Sequence, residues 1–377
     1  MKILQKQVLE YLQWGIAASF SFGLYFILLI VFRVEQPDLD DHIVISENMF
    51  KDWRVPAHPL FYSLIQLLSF FSKNHDLEVF AAFLVFSLTQ FAKILISKRL
   101  IEEVFNYTLD LFGFLVLVMA QLVISFSVFE KYFIINQICP NFFHNGTLQL
   151  SIPFVLLLLL EAWRFAKGDE KYSIKKMLLY GLLVALSKPS FLFCFIPVFP
   201  AYILYVNGIG RKLLASLQVS TLFTFIIMGQ SFYLRMNPHS YLTSFKIAFL
   251  PFFQFGSLQS HMSMMVYGLF IPIIAFCLKP QYFQDRFVQF LLVMLVLSFA
   301  ISFSFVDVLN GVYYSNMTWQ TSVIMYLLLA FGLGCIFKPG VNGLTWKQLV
   351  FSIAVLANAV YSLIYFFYAV GMKTLFI

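Results

Sequence analysis

Six of the 18 acidic side chains, Glu35, Asp38, Asp40, Asp41, Glu47 and Asp52, fall within eighteen residues just after the first hydrophobic stretch. In a chain that is 61% hydrophobic and 11% charged, such a cluster marks a place where chemistry can be hosted. A carboxylate held close to a hydroxyl can take its proton as the oxygen attacks an electrophilic carbon, a contribution of about 10²- to 10⁴-fold in rate. The adjacent Asp40 and Asp41 are the candidates for that base, Asp41 ahead of Asp40; Glu47 and Asp52 also fit the polar face of an amphipathic helix. Two cations (Lys51, Arg54), a His-Pro pair (His58, Pro59) and a short apolar segment follow.

Phosphate is the ligand to which the scattered cations point. Arg and Lys donate charge-assisted hydrogen bonds to phosphate oxygens and stabilise a departing phosphate. Arg54, Lys188, Arg235 and Lys246 are the candidates, and Lys188 stands out because it precedes Pro189 within an apolar belt, where a charge is costly unless it faces a cavity or a partner. Contact with anionic headgroups explains any one of the others as well. Asn141, His144 and Asn145, between two apolar stretches, can bind sugar hydroxyls, although Asn145-Gly146-Thr147 also reads as a turn and cap. Asn316 and Trp319 lie in a late cluster of amides and aromatics able to form a sugar platform, interfacial anchoring being the alternative for the tryptophan. Six histidines without His-x-x-x-His spacing and four scattered cysteines point to no dedicated metal site, which leaves a divalent metal open but unsupported.

The elements that must position these groups are membrane helices. A mean hydropathy of +0.85 and repeated apolar runs of about 20 residues match the length needed to cross about 30 Å of hydrocarbon. A β-barrel would alternate with period two in shorter segments. Eleven spans are expected, near 12 to 32, 78 to 96, 110 to 129, 149 to 166, 176 to 189, 190 to 206, 213 to 233, 262 to 279, 287 to 306, 318 to 338 and 348 to 371. The segment His58 to Phe71 is short for a crossing, and charge decides its place. If it does not cross and the N-terminus is cytosolic, 16 of the 25 Lys and Arg lie on the cytosolic side, against 8 if it does. This bias also accounts for the formal charge of +7 without nucleic acid. The first outer loop then carries the acidic cluster and a helix lying at the surface, and Pro238 to Phe255 is expected to form a second amphipathic element there. Spans five and six should be short and meet at Ser187-Lys188-Pro189-Ser190. Lys93 is expected at the cytosolic end of the second span, and Glu161 with Arg164 is expected to snorkel. No internal repeat is evident, and residues 1 to 377 form one membrane domain.

With these features in this order, the chain resembles the GT-C superfamily of membrane glycosyltransferases. The resemblance covers residues 12 to 206, with 207 to 377 as additional helices. It rests on Asp40 and Asp41 after the first span and on His58-Pro59-Leu60-Phe61-Tyr62, similar to the family's His-Pro-Pro-Leu-Tyr-Tyr stretch. It also rests on the succession of IPFVLLLLLEAWRF, a basic loop and LLYGLLVALSKPSFLFCFIP. The resemblance implies an all-α polytopic fold and transfer of a sugar from a polyprenyl-phosphate carrier to a glycan or lipid hydroxyl on the extracytoplasmic face of the plasma (inner) membrane. It also implies Asp40 or Asp41 as base, with Lys188 and Arg235 on the carrier phosphate. The second Pro of the family stretch is absent, and no acid lies between Asn136 and Gly146, which favours a metal-independent inverting mechanism. A polymerase using a polyprenyl-diphosphate oligosaccharide, for which Arg54 and Arg235 would serve, and a flippase of lipid-linked sugar are the alternatives.

Overall fold

The computed structural model describes residues 2–32, 37–51, 56, 58–72, 74–123, 146–236, 246–249, 258–309, 312–314, 319–338 and 344–371. It is a bundle of helices: α1 (Lys2–Phe32), α2 (Pro37–Lys51), α3 (Pro59–Leu68), α4 (His75–Phe105), α5 (Leu111–Met119), α6 (Gly146–Lys167), α7 (Ile174–Ser187), α8 (Ser190–Asn207), α9 (Arg211–Met236), α10 (Leu258–Leu278), α11 (Arg286–Ser304), α12 (Trp319–Phe337) and α13 (Trp346–Gly371). Seven helices among the described residues are long and apolar enough to cross a membrane, within α4, α6, α8, α9, α11, α12 and α13. The protein is a helical membrane protein.

Helix ends follow local chemistry. Asn74 caps α4 by accepting from the Leu77 amide, with Asp76 and Glu78 in the first turn, where the helix dipole favours acids. Asn106 closes the same helix in the left-handed conformation that Asn tolerates. Asp110 caps α5, Ser173 caps α7 and Asp285 caps α11, each through a side-chain oxygen on an early amide. The apolar surface is divided between core and lipid. Helix α12 is buried along its whole length, whereas Leu214, Phe225 and Phe232 on α9 and Ile353 and Leu356 on α13 remain exposed, as lipid-facing residues do.

The ends of the bundle differ in kind. At one end the Gln13 amide donates to the Leu109 carbonyl, Arg164 of α6 grips Glu103 of α4, Asn207 and Lys212 donate to the Ala166 carbonyl, and Lys279 donates to the carbonyls of Cys335 and Ile336. This is the basic end. At the other, acidic end lie α2, α3, the start of α4, the start of α6 against Phe61, and the Lys188 turn. Helix α3 spans about 15 Å at 1.5 Å per residue, half the hydrocarbon thickness. It packs on α4, α6 and α7.

Two expectations need correction, those for Lys93 and Arg164. Of the segment Pro238 to Phe255 expected to be amphipathic, residues 246–249 are described, and they form a strand, β1 (Lys246–Phe249). It pairs antiparallel with β2 (Phe305–Leu309), which pairs with β3 (Val312–Tyr314). The fold is thus helical with one small sheet. Lys93 is not at the helix end: α4 runs on to Phe105, nine residues beyond the expected boundary, because the pairs Lys98–Glu102 and Arg99–Glu103 satisfy its charges along the helix surface. Lys93 therefore sits inside the bundle, 1% exposed. Arg164 does not snorkel either. Its buried guanidinium donates to both carboxylate oxygens of Glu103 and to Glu161, whose other oxygen accepts from the Ser173 amide, so the group ties α4, α6 and the start of α7 together.

Candidate functional site

The turn between α7 and α8 places Lys188. Proline disfavours helical backbone in the residue before it, and Lys188 is extended, at φ −164° and ψ 111°. Its amide still closes α7 on the Val184 carbonyl at 2.8 Å. The long side chain is buried, and its ammonium lies 4.7 Å from the ring centroid of Trp319, the first residue of α12. A desolvated cation over an indole face gains about 2 kcal/mol. Beside Trp319, the Gln320 amide donates to Ser302, and the hydroxyls of Ser302 and Thr321 are 2.9 Å apart. Helices α6, α8 and α12 all begin at this end and pack on one another, so three positive helix termini add to the lysine charge. Such a combination attracts an anion.

The first-loop helices cover the same end. In α2, His42 and Ser46 lie one turn apart and both reach α3: the His42 Nδ1 and Tyr62 hydroxyl are 2.9 Å apart, and the Ser46 hydroxyl donates to the Tyr62 carbonyl. Gln66 then donates to the Ser46 hydroxyl and to Glu78 of α4, both across buried distances of about 3 Å. Phe61, Tyr62 and Ile65 of α3, Ile43 of α2 and Phe86 of α4 fill the space between, and Tyr25 of α1 stacks on Phe86. This small core, separate from the main one, fixes α2 and α3 as a plate on the bundle.

The expected site residues divide accordingly. Lys188 and Trp319 are brought together. Asp40 and Asp41 stand in the first turns of α2, in the plate at the acidic end, and their side chains lie outside the described residues. The same holds for the side chains of Arg235, the penultimate residue of α9, and Lys246, the first of β1. His58 precedes Pro59 at the start of α3. Arg54, Asn141, His144, Asn145 and Asn316 lie outside the described residues. Among the described residues no group of three or more His, Cys, Asp or Glu could hold a metal ion.

No family model matches the chain, and no curated protein and no solved structure matches it.

Sequence reasoning missed a second buried polar group. The Lys93 ammonium is 3.9 Å from the ring centroid of Tyr326, whose hydroxyl is 2.7 Å from that of Ser97 and accepts from Gln121; Gln90 in turn donates to Gln121. All five side chains are buried. The signal was the spacing of Gln90, Lys93 and Ser97, polar residues three and four apart and so on one helix face within an otherwise apolar stretch.

Proposed function

We propose that the protein is a membrane glycosyltransferase that holds the phosphate of a polyprenyl-linked sugar at Lys188 and passes the sugar to an acceptor hydroxyl during cell-envelope polysaccharide or glycolipid assembly. The observation that carries this reading is the buried Lys188 ammonium over Trp319, at the same end of the bundle as α2 and the first turns of α6, α8 and α12. In the proposed step the acceptor oxygen attacks the anomeric carbon from the side opposite the phosphate, and its proton passes to Asp41, or to Asp40. The bond from that carbon to the phosphate oxygen breaks, and the oxygen leaves with the electron pair, its charge met by Lys188. The configuration at the anomeric carbon inverts. The basic loops of the opposite end support placing the acidic end on the extracytoplasmic side, and with it a cytosolic N-terminus.

Purified full-length protein given synthetic polyprenyl-linked sugars tests this. Transfer into product is expected, with the Asp40→Asn/Asp41→Asn double variant slower by about 10²- to 10⁴-fold. A double variant as fast as wild type removes the assigned base. Radiolabelled sugar that crosses a vesicle without entering product would make the protein a transporter instead.

A further inference from the structure

The transferase reading leaves Glu78 without a role. This acid lies in the first turn of α4, at the seam where α2 and α3 meet the bundle, and is 1% exposed. Its Oε1 accepts from the Gln66 side chain of α3 at 3.1 Å, and the same amide nitrogen donates to the Ser46 hydroxyl of α2 at 3.0 Å. One buried α3 side chain therefore ties α2 to α4. The other carboxyl oxygen of Glu78, Oε2, is buried and makes no hydrogen bond, and no ion pair among the described residues includes Glu78.

The charged groups close enough to act on it are Glu47 of α2, which repels a carboxylate, and His75 one turn earlier on α4, which attracts one only while protonated. The other titratable side chains described around it are Tyr25 of α1, Tyr62 of α3 and His42 of α2, the last on the Tyr62 hydroxyl; the first turns of α6 and α12 bring none. A carboxylate taken out of water without a cation is far costlier than the neutral acid, whose unmet hydroxyl carries no charge. Gln66 donates to either form, so it is the buried charge that discriminates between them. We propose that Glu78 is a proton-binding site that latches the α2–α3 plate: the plate closes on the bundle with Glu78 as a neutral acid and opens as that acid gives its proton to solvent. One proton is bound on closing and one released on opening. The sign follows from which state holds it: raising the pH favours the open plate, by up to about tenfold in the ratio of closed to open for each pH unit. The fall begins above about pH 4.3, where an exposed Glu carboxyl titrates, and ends where Glu78 ionises beneath the closed plate. The latch goes beyond the transferase reading and does not rest on it. Because α2 carries Asp40 and Asp41, closure sets the fraction of molecules in which that pair is held at the acidic end.

Hydrogen–deuterium exchange on the purified full chain in detergent, followed from about pH 5 to about pH 8 with each amide's rate divided by its intrinsic rate at that pH, tests the latch. Protection of α2 and α3 amides is expected to fall by up to about tenfold per pH unit while α12 amides hold theirs. Glu78→Gln, isosteric with the neutral acid, should keep high protection throughout. Glu78→Met, which also cannot ionise, gives the same flat profile where the glutamine amide disturbs folding. Protection independent of pH in wild type, or a variant that keeps the wild-type slope and so assigns it to another group such as His42, overturns the proposal. Protection regained at high pH on adding sodium or potassium, and not a bulky organic cation at equal ionic strength, would put a metal ion on Oε2 and overturn it too. Exchange needs no sugar donor, so a failed latch leaves the transferase standing and failed transfer leaves the latch.

Discussion

Replacing Gly146 with alanine should loosen the α2–α3 plate without touching the rest of the bundle. A Cβ at Gly146, the first residue of α6, would lie 2.2 Å from Cζ of Phe61 and 2.6 and 2.7 Å from its two Cε atoms. A free phenyl ring would swing aside, but this one is confined. Phe61 is fully buried, with the rings of His42, Tyr62 and Phe86 at centroid distances of 5.7, 5.6 and 5.6 Å. Relief therefore requires α3 to move, and forcing an extra carbon into a packed core costs about 1–3 kcal/mol. If that cost falls on the docking of α3, the population of the undocked plate rises about 5- to 150-fold. Hydrogen–deuterium exchange on the purified full chain reads this directly. Amides of α2 and α3 should exchange faster in Gly146→Ala, those of α4 and α6 should be unchanged, and adding Phe61→Leu should restore much of the protection. Exchange identical to wild type, or acceleration spread evenly over the bundle, would refute the reasoning that the Gly146–Phe61 contact seats the plate.

Two further outcomes follow from the basic end. Glu103→Gln leaves Glu161 as the one carboxylate on the buried Arg164 guanidinium; because that charge stays paired, the loss is that of a charge-assisted hydrogen bond at a partly exposed carboxylate, about 1–2 kcal/mol. Thermal unfolding in detergent should show a clear drop, and an unchanged midpoint would mean that the three-residue group does not hold α4 to α6. Lys279 sits at the end of α10 with its ammonium on the carbonyls of Cys335 and Ile336, and burial holds its pKa below the ordinary value of 10.5, the nearby Lys347 and Lys338 acting in the same direction. The charged amine is thus costlier folded than unfolded, so the unfolded chain binds more protons between the lowered value and 10.5. Stability should rise with pH across that window and be level on either side of it. Lys279→Gln should flatten the rise, and a variant with the wild-type pH profile would show that another group titrates there.

The features legible in the chain are those decided locally. Pro189 restricts the residue before it, so a helix break that presents Lys188 could be read from Ser187-Lys188-Pro189-Ser190 alone, and the break is there. Long apolar runs likewise announce helices, since backbone groups in hydrocarbon must be satisfied within one segment. What could not be read was which helix faces which. Core and lipid are equally apolar, so hydropathy gives no sign that α12 is buried throughout while α9 is largely bare. The partner of Lys188 therefore stayed hidden, although Trp319 and Lys188 were each singled out. Lys93 was lost for a related reason. A hydropathy window ends a span at the first run of charges, and Lys93, Lys98 and Arg99 look alike to it. The helix itself distinguishes them, because Lys98 and Arg99 find acids four residues on while Lys93 shares a face with Gln90 and Ser97. Two charges at a helix surface thus have carboxylates within the helix, and the third turns toward Tyr326 in the interior, a contact made by α12 and so out of reach of any window on the α4 sequence.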